Sequence, residues 1–182
     1  MRLIKRNTKL KTINNQSHIP MLILAVDPSV KNVGFALTCG NGKIVTCLHH
    51  PLEIPRNNPL RLQSIAGDIL NRLHLLLAIY QYKKITHLVI EYPQFENSVR
   101  GEVAARQGYT LDLAYVCGEI VRYCALHTSN VRLPTPLQWK GNRPKKATEL
   151  EVQKKFGMLQ ISEHEYDACG LLLWGLEEMK LF

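Results

Sequence analysis

The chain of 182 residues is 46% hydrophobic and 21% charged, the profile of a globular protein with a core of its own. Its 23 Lys and Arg against 15 Asp and Glu leave a formal net charge of +8, which puts polyanions first among candidate partners. The longest apolar runs, residues 21–26 and 75–79, fall far short of the roughly 18 to 20 residues that cross a bilayer, and no apolar stretch directly follows the basic start as a secretory signal requires. Five cysteines without a C-x-x-C spacing suit reduced, packed thiols better than a disulfide framework or a zinc site, so an intracellular protein with no membrane partner is expected. Cys47 with His49 and His50 offers one metal reading, against which stands plain packing at the end of a strand.

The charge is unevenly placed. Residues 1–20 carry five cations and no acid, residues 132–155 carry seven cations against Glu149 and Glu151, and the rest of the chain sums to −2. A basic grip beside an acidic centre fits this separation, as does a solvated tail plus a solvated helix. Residues 1–19 show no periodicity and read as a flexible basic arm; residues 20–182 read as a single domain with no internal repeat.

Residues 21–27 form a continuous apolar run ending in Asp27, the pattern of a strand buried on both faces. Residues 33–39 and 44–48 flank Gly40-Asn41-Gly42 and read as an antiparallel hairpin. Leu62, Ile65, Ile69, Leu73, Leu76 and Tyr80 share one face at helical spacing, which predicts an amphipathic helix over 59–82 with Pro59 in its first turn. Residues 85–91 repeat the buried-strand pattern and end in Glu91. A long helical stretch over 99–127, a short strand over 131–134 and a basic helix over 144–156 capped by Gly157 follow. Ser162 and Glu165 form a capping box that opens the last helix. This order predicts an α/β fold whose five-stranded mixed sheet begins with three antiparallel strands and is flanked by helices.

Two strands thus end in acids, and in an open α/β sheet the ends of parallel strands share the edge where sites form. On the last helix Asp167 lies about 40° from Glu163 and about 60° from His164 on the helical wheel, while Glu165 points away. Taken singly, Asp27 reads as a turn cap, Glu91 as a partner for a lysine and Asp167 as a helix-dipole acid. Taken together, oxygen ligands from separate elements match what Mg²⁺ accepts when phosphate and water complete its shell. Two such ions could activate water and stabilise the leaving oxygen at a phosphodiester.

Asp27-Pro28-Ser29 with Gly34-Phe35-Ala36, Ile90-Glu91 after an apolar strand, and His164-x-x-Asp167-Ala168 before an apolar helix resemble the RuvC-type Holliday-junction resolvases of the ribonuclease H-like superfamily. Pro136-Leu137-Gln138-Trp139-Lys140-Gly141 followed by Pro144-Lys145-Lys146 is similar to a segment of bacteriophage and other viral members, which leans toward a virus or prophage source. The resemblance, over residues 21–182, implies a ribonuclease H-like fold and a Mg²⁺-dependent endonuclease that resolves four-way junctions by paired nicks leaving 5′-phosphate and 3′-hydroxyl ends. It implies Asp27 bridging two Mg²⁺ ions, replaceable by Mn²⁺, with Glu91 and Asp167 each completing one site. His164 stands where many members carry a further Asp, as ligand or proton mover, with Glu163 as the substitute. It further implies Phe95, or in second place Tyr92, as an aromatic residue at the junction's branch point; Lys140, Arg143, Lys145 and Lys146 as phosphate contacts; and a homodimer joined through the 99–127 helix. Trp139 reads equally as a packing residue and as a DNA contact. The alternatives are a related nuclease on other branched DNA or RNA–DNA hybrids, and a catalytically silent nucleic-acid-binding module of the same fold.

Overall fold

The structure is a computed structural model that describes residues 21–39, 44–54, 59–79, 85–94, 108–128, 130–157 and 161–180. The N-terminal arm, the hairpin turn at Gly40-Asn41-Gly42 and Phe95 lie outside the described residues. Five strands, β1 (Leu22–Asp27), β2 (Asn32–Cys39), β3 (Ile44–Pro51), β4 (His87–Ile90) and β5 (Val131–Arg132), form one sheet in the order β3-β2-β1-β4-β5. The pairs β1–β2 and β2–β3 are antiparallel, whereas β4 runs parallel to β1 and β5 parallel to β4. This is the mixed sheet the sequence predicts. β3 extends three residues beyond the expected end, to Pro51, because His49 and His50 pair in register with Gly34 and Val33.

The helices are α1 (Arg61–Ile79), α2 (Tyr109–Ala125), α3 (Pro136–Trp139), α4 (Lys145–Phe156) and α5 (Glu163–Glu178). α1 begins two residues after the predicted Pro59. The expected long helix over 99–127 is described only from Tyr109 onward. Short α3 is not anticipated by periodicity, since four residues carry none; Gln138 closes its first turn by accepting from the Thr135 backbone N–H at 2.8 Å. Ser162 and Glu165 form the predicted capping box of α5, and Gly157 caps α4 at φ 94°. Among the described residues, no helix is long and apolar enough to cross a membrane.

All six residues of β1 are buried, as expected of a strand with a strand on each side and helices on both faces. Leu22, Leu24 and Val26 face one core with Phe35, Leu37, Leu88 and Ile90, covered by Ile65, Ile69 and Leu73 of α1 and by Val116 and Ile120 of α2. Ile23 and Ala25 face the other with Ala36 and Val89, covered by Leu171, Leu172 and Leu176 of α5 and by Trp139. The side chains toward α5 are small, and this helix sits close: a Cβ on Gly175 would meet Val89 Cγ2 at 2.7 Å, and one on Gly34 would meet the His164 carbonyl oxygen at 2.0 Å.

Candidate functional site

Strand register decides which side chains meet. Asp27 pairs with Gly34, and Gly34 pairs with His49; residues paired across antiparallel strands point to the same face. Two residues along the strand from each of them lie Ala25, Ala36 and Cys47, all packed on the α5 side, so Asp27, Gly34 and His49 form a row under the first turns of α5. On the other flank Ile90 pairs with Val26, and the Glu91 N–H donates to the Val26 carbonyl at 3.1 Å. Glu91, two residues past the α5-facing Val89, thereby comes beside Asp27. The two strand-terminal acids share one sheet edge, as their positions in sequence predict.

α5 lays His164 across the row. Its Nδ1–H donates to Asp27 Oδ2 at 2.8 Å, because a carboxylate only accepts. The bond leaves Nε2 as the ring nitrogen outside the Asp27 contact. It also raises the His164 pKa, with burial opposing and the charges of Asp27, Glu163 and Asp167 assisting. Burial raises the Asp167 carboxyl, Asp27 adds to the rise, and Lys140 and Lys145 oppose it. Glu91 is pushed up to about 7 by burial, with further repulsion from Asp27 and Asp167 and relief from Lys140 and Trp139.

Trp139 proves to be part of this edge. Almost wholly buried at 2% exposure, it donates its indole N–H to Glu91 Oε2 at 2.5 Å. The ring fits because Gly170 has no side chain: a Cβ there would stand 2.9 Å from Trp139 Cζ3. Lys140, the next residue, sits 4.9 Å from the Trp139 ring centroid and 3.9 Å from Glu91 Oε2. Sequence left Trp139 between packing and DNA contact; the bond to Glu91 gives it a third role, holding the carboxylate. Beneath the edge, burial pushes the Cys117 thiol up to about 12, with Glu91 and Asp27 adding to it.

The remaining predicted residues divide. Lys145 and Lys146 lie exposed on the first turn of α4, and Lys145 pairs with Glu163. Glu163 is 64% exposed in that pair and stands outside the Asp27–His164 contact, which weighs against it as the substitute for His164. Arg143 is bound by its own surroundings: it donates to the carbonyls of Trp139 and Lys140 and to Glu151. Tyr92, 42% exposed, follows Glu91 at the surface. The Cys47, His49 and His50 reading fails on strand alternation: Cys47 and His49 face α5, whereas His50 points to the opposite side and bonds Asp68 at 2.8 Å. His49, singled out in sequence only within that metal reading, stacks on His164. Its placement opposite Gly34 was legible only with the β2–β3 register in hand.

No group of three or more His, Cys, Asp or Glu side chains among the described residues is close enough together to hold a metal ion. The donor set still matches a hard divalent cation in kind. Asp27 and Asp167 raise the proton affinity of Glu91, and Asp27 raises that of Asp167, the repulsion that a bound cation relieves. Asp27 Oδ2 accepts from His164 and Glu91 Oε2 from Trp139, and each carboxylate keeps a second oxygen outside these bonds.

The sheet order, the antiparallel first three strands and the helix over the carboxylate edge define a RuvC-type ribonuclease H-like fold. Two structures of Thermus thermophilus RuvC share it: one in complex with a Holliday junction substrate, at a TM-score of 0.62, and another at 0.55. Each is 14% identical to this chain, and each match covers 88% of this chain and 98% of the other. No protein-family model matches the sequence, and no curated protein resembles it in sequence.

Proposed function

We propose that the protein is a divalent-metal-dependent endonuclease that resolves four-way DNA junctions by paired nicks, leaving 5′-phosphate and 3′-hydroxyl ends. The observation that carries this reading is the meeting of Asp27 and Glu91 on adjacent strand ends with His164 and Asp167 of α5, at the edge of a RuvC-type sheet. Asp27, Glu91, Asp167 and His164 would hold two Mg²⁺ ions, or Mn²⁺ in their place. Metal bound there supplies an activated water and charge for the leaving oxygen of the phosphodiester. The chain's own residues do the rest. Trp139 keeps Glu91 turned into the site, Asp27 orients the His164 ring, and Lys140, Lys145 and Lys146 attract the phosphates while Arg143 braces the segment that carries them. Phe95, or in second place Tyr92, would be the aromatic residue on which an unpaired base at the branch point stacks.

Two cuts in one junction require two sites, and the surface of α2 suits a second copy of the chain. Leu111 is 67% exposed and Tyr115 37%, and Gly118, one turn further, has no atom within 4 Å of where its Cβ would be. A bacteriophage or prophage source belongs to the same reading and rests on the 136–146 segment alone.

Purified full-length protein with Mg²⁺ should nick four-way junctions in preference to flap, linear duplex and RNA–DNA hybrid. Cutting linear duplex as fast as the junction overturns the resolvase reading, and preference for the hybrid replaces it with a ribonuclease H-type activity. Asp27→Asn should abolish cleavage and leave junction binding in place; unchanged cleavage removes Asp27 from the mechanism, and junction binding without cleavage by the parent chain leaves a silent binding module.

A further inference from the structure

We infer that His49, anchored by Asn32, is a positioning residue for His164; the inference rests on the assignment of His164 to the site. The two imidazoles stack with centroids 5.7 Å apart and planes inclined by 11°, within the range of offset aromatic stacking. His49 is itself fixed: its Nε2 lies 3.1 Å from Asn32 Oδ1, and since the amide oxygen accepts, Nε2–H donates. Asn32 opens β2 and His49 lies near the end of β3, so the pair is carried by the sheet, independently of α5.

The argument is one of remaining freedom. A histidine ring on a fixed backbone still turns through a broad two-fold χ2 well. The backbone of His164 is fixed by the notch over Gly34, where its carbonyl carbon would stand 2.6 Å from a Cβ. Its ring edge is held by Asp27 through Nδ1. A single hydrogen bond at one edge still permits the ring to tilt about that bond, and a ring lying parallel on its face removes the tilt. His49 supplies that face, and the bond to Asn32 sets the plane in which it lies. Together they aim Nε2 of His164 in one direction. A leucine at position 49 would fill the volume without setting a plane. Residues that orient a ligand or a proton carrier from behind are commonly worth about 10- to 100-fold in affinity or activity.

The test uses the full-length chain and three variants, His49→Ala, His49→Phe and Asn32→Ala. Side-chain ¹H–¹⁵N spectra without added metal, with His164 assigned through His164→Gln, read the exchange of its Nδ1–H proton. That proton should be protected in the parent, exchange-broadened in His49→Ala and restored in His49→Phe, whose ring keeps the stack. Junction cleavage in a single turnover should fall about 10- to 100-fold in His49→Ala with junction affinity unchanged, and recover most of the loss in His49→Phe. A protected Nδ1–H and undiminished cleavage in His49→Ala overturn the inference. So does a loss that His49→Phe fails to restore while its thermal melt matches the parent. Should His49→Ala not fold, Asn32→Ala decides in its place, since freeing the ring of His49 is expected to weaken Nδ1–H protection at intact fold. If the parent cuts no junction with any divalent ion and the spectra still respond, the nuclease reading falls and the positioning of His164 stands.

Discussion

Gly34→Ala tests the central packing relation, because one methyl group there addresses the sheet edge and α5 together. Its Cβ would lie 2.0 Å from the His164 carbonyl oxygen. Restoring an ordinary contact of about 3.4 Å requires the first turn of α5 to retreat by about 1.4 Å. The obstacle is backbone, so no rotamer change relieves it. Overpacking of this kind costs about 1 to 3 kcal/mol, which for a chain of this size lowers Tm by about 2 to 4 °C for each kcal/mol. The same retreat breaks the 2.8 Å bond between His164 and Asp27, and displacing a reacting group by about 1 Å costs on the order of 100-fold in rate. Urea denaturation and junction cleavage are the two assays. The expected result is a moderate loss of stability with a disproportionate loss of cleavage, while junction affinity, which the proposed function assigns to the lysines, holds. A variant with the parent's urea midpoint and cleavage rate would refute the close approach of α5 to β2 and the placement of His164 derived from it.

Other outcomes follow from the charges. Glu91 holds its proton to about 7 against an ordinary value of 4.5, so between those values the folded protein retains a proton that the unfolded chain has released; its stability therefore falls as pH rises through this window. Glu91→Gln, which still accepts from Trp139, should stabilise the metal-free protein on the order of 3 kcal/mol at about pH 8 and by much less near pH 5, as read by urea midpoints. His164 runs in the same direction for a different reason: its pKa is raised by the bond to Asp27, which favours the charged ring, so its contribution is fully present below the unfolded value of 6.5 and lost as pH climbs through the folded one. His164→Ala should accordingly cost more stability at about pH 5.5 than at about pH 9. Lys145→Ala with Lys146→Ala should weaken junction binding and reduce the dependence of log K on log salt by about 2 if each lysine contacts one phosphate, measured by fluorescence anisotropy across a salt series. Leu111→Arg with Tyr115→Arg should yield a monomer by light scattering at concentrations where the parent is a dimer; a parent that is itself monomeric removes α2 as the interface.

The sequence by itself determined the five strands, every helix but short α3, and the two strands that end in carboxylates. Apolar runs ending in Asp27 and Glu91 are local signals, as are the 3.6-residue period of α1 and the capping box at Ser162, and each follows from backbone hydrogen bonding and the burial of one face. They also located Asp167 and His164 on one side of α5. Only the tertiary structure decided what those groups touch. The bond from His164 to Asp27, the indole clamp on Glu91, the stacking of His49 and the ties on Arg143 depend on strand register and on how closely α5 and α3 approach the sheet. Register is set over the whole sheet by which faces are buried, and close approach by the absence of side chains at Gly34 and Gly170. A glycine has no pattern of its own in sequence, so these contacts become readable only when the surfaces it separates are brought together.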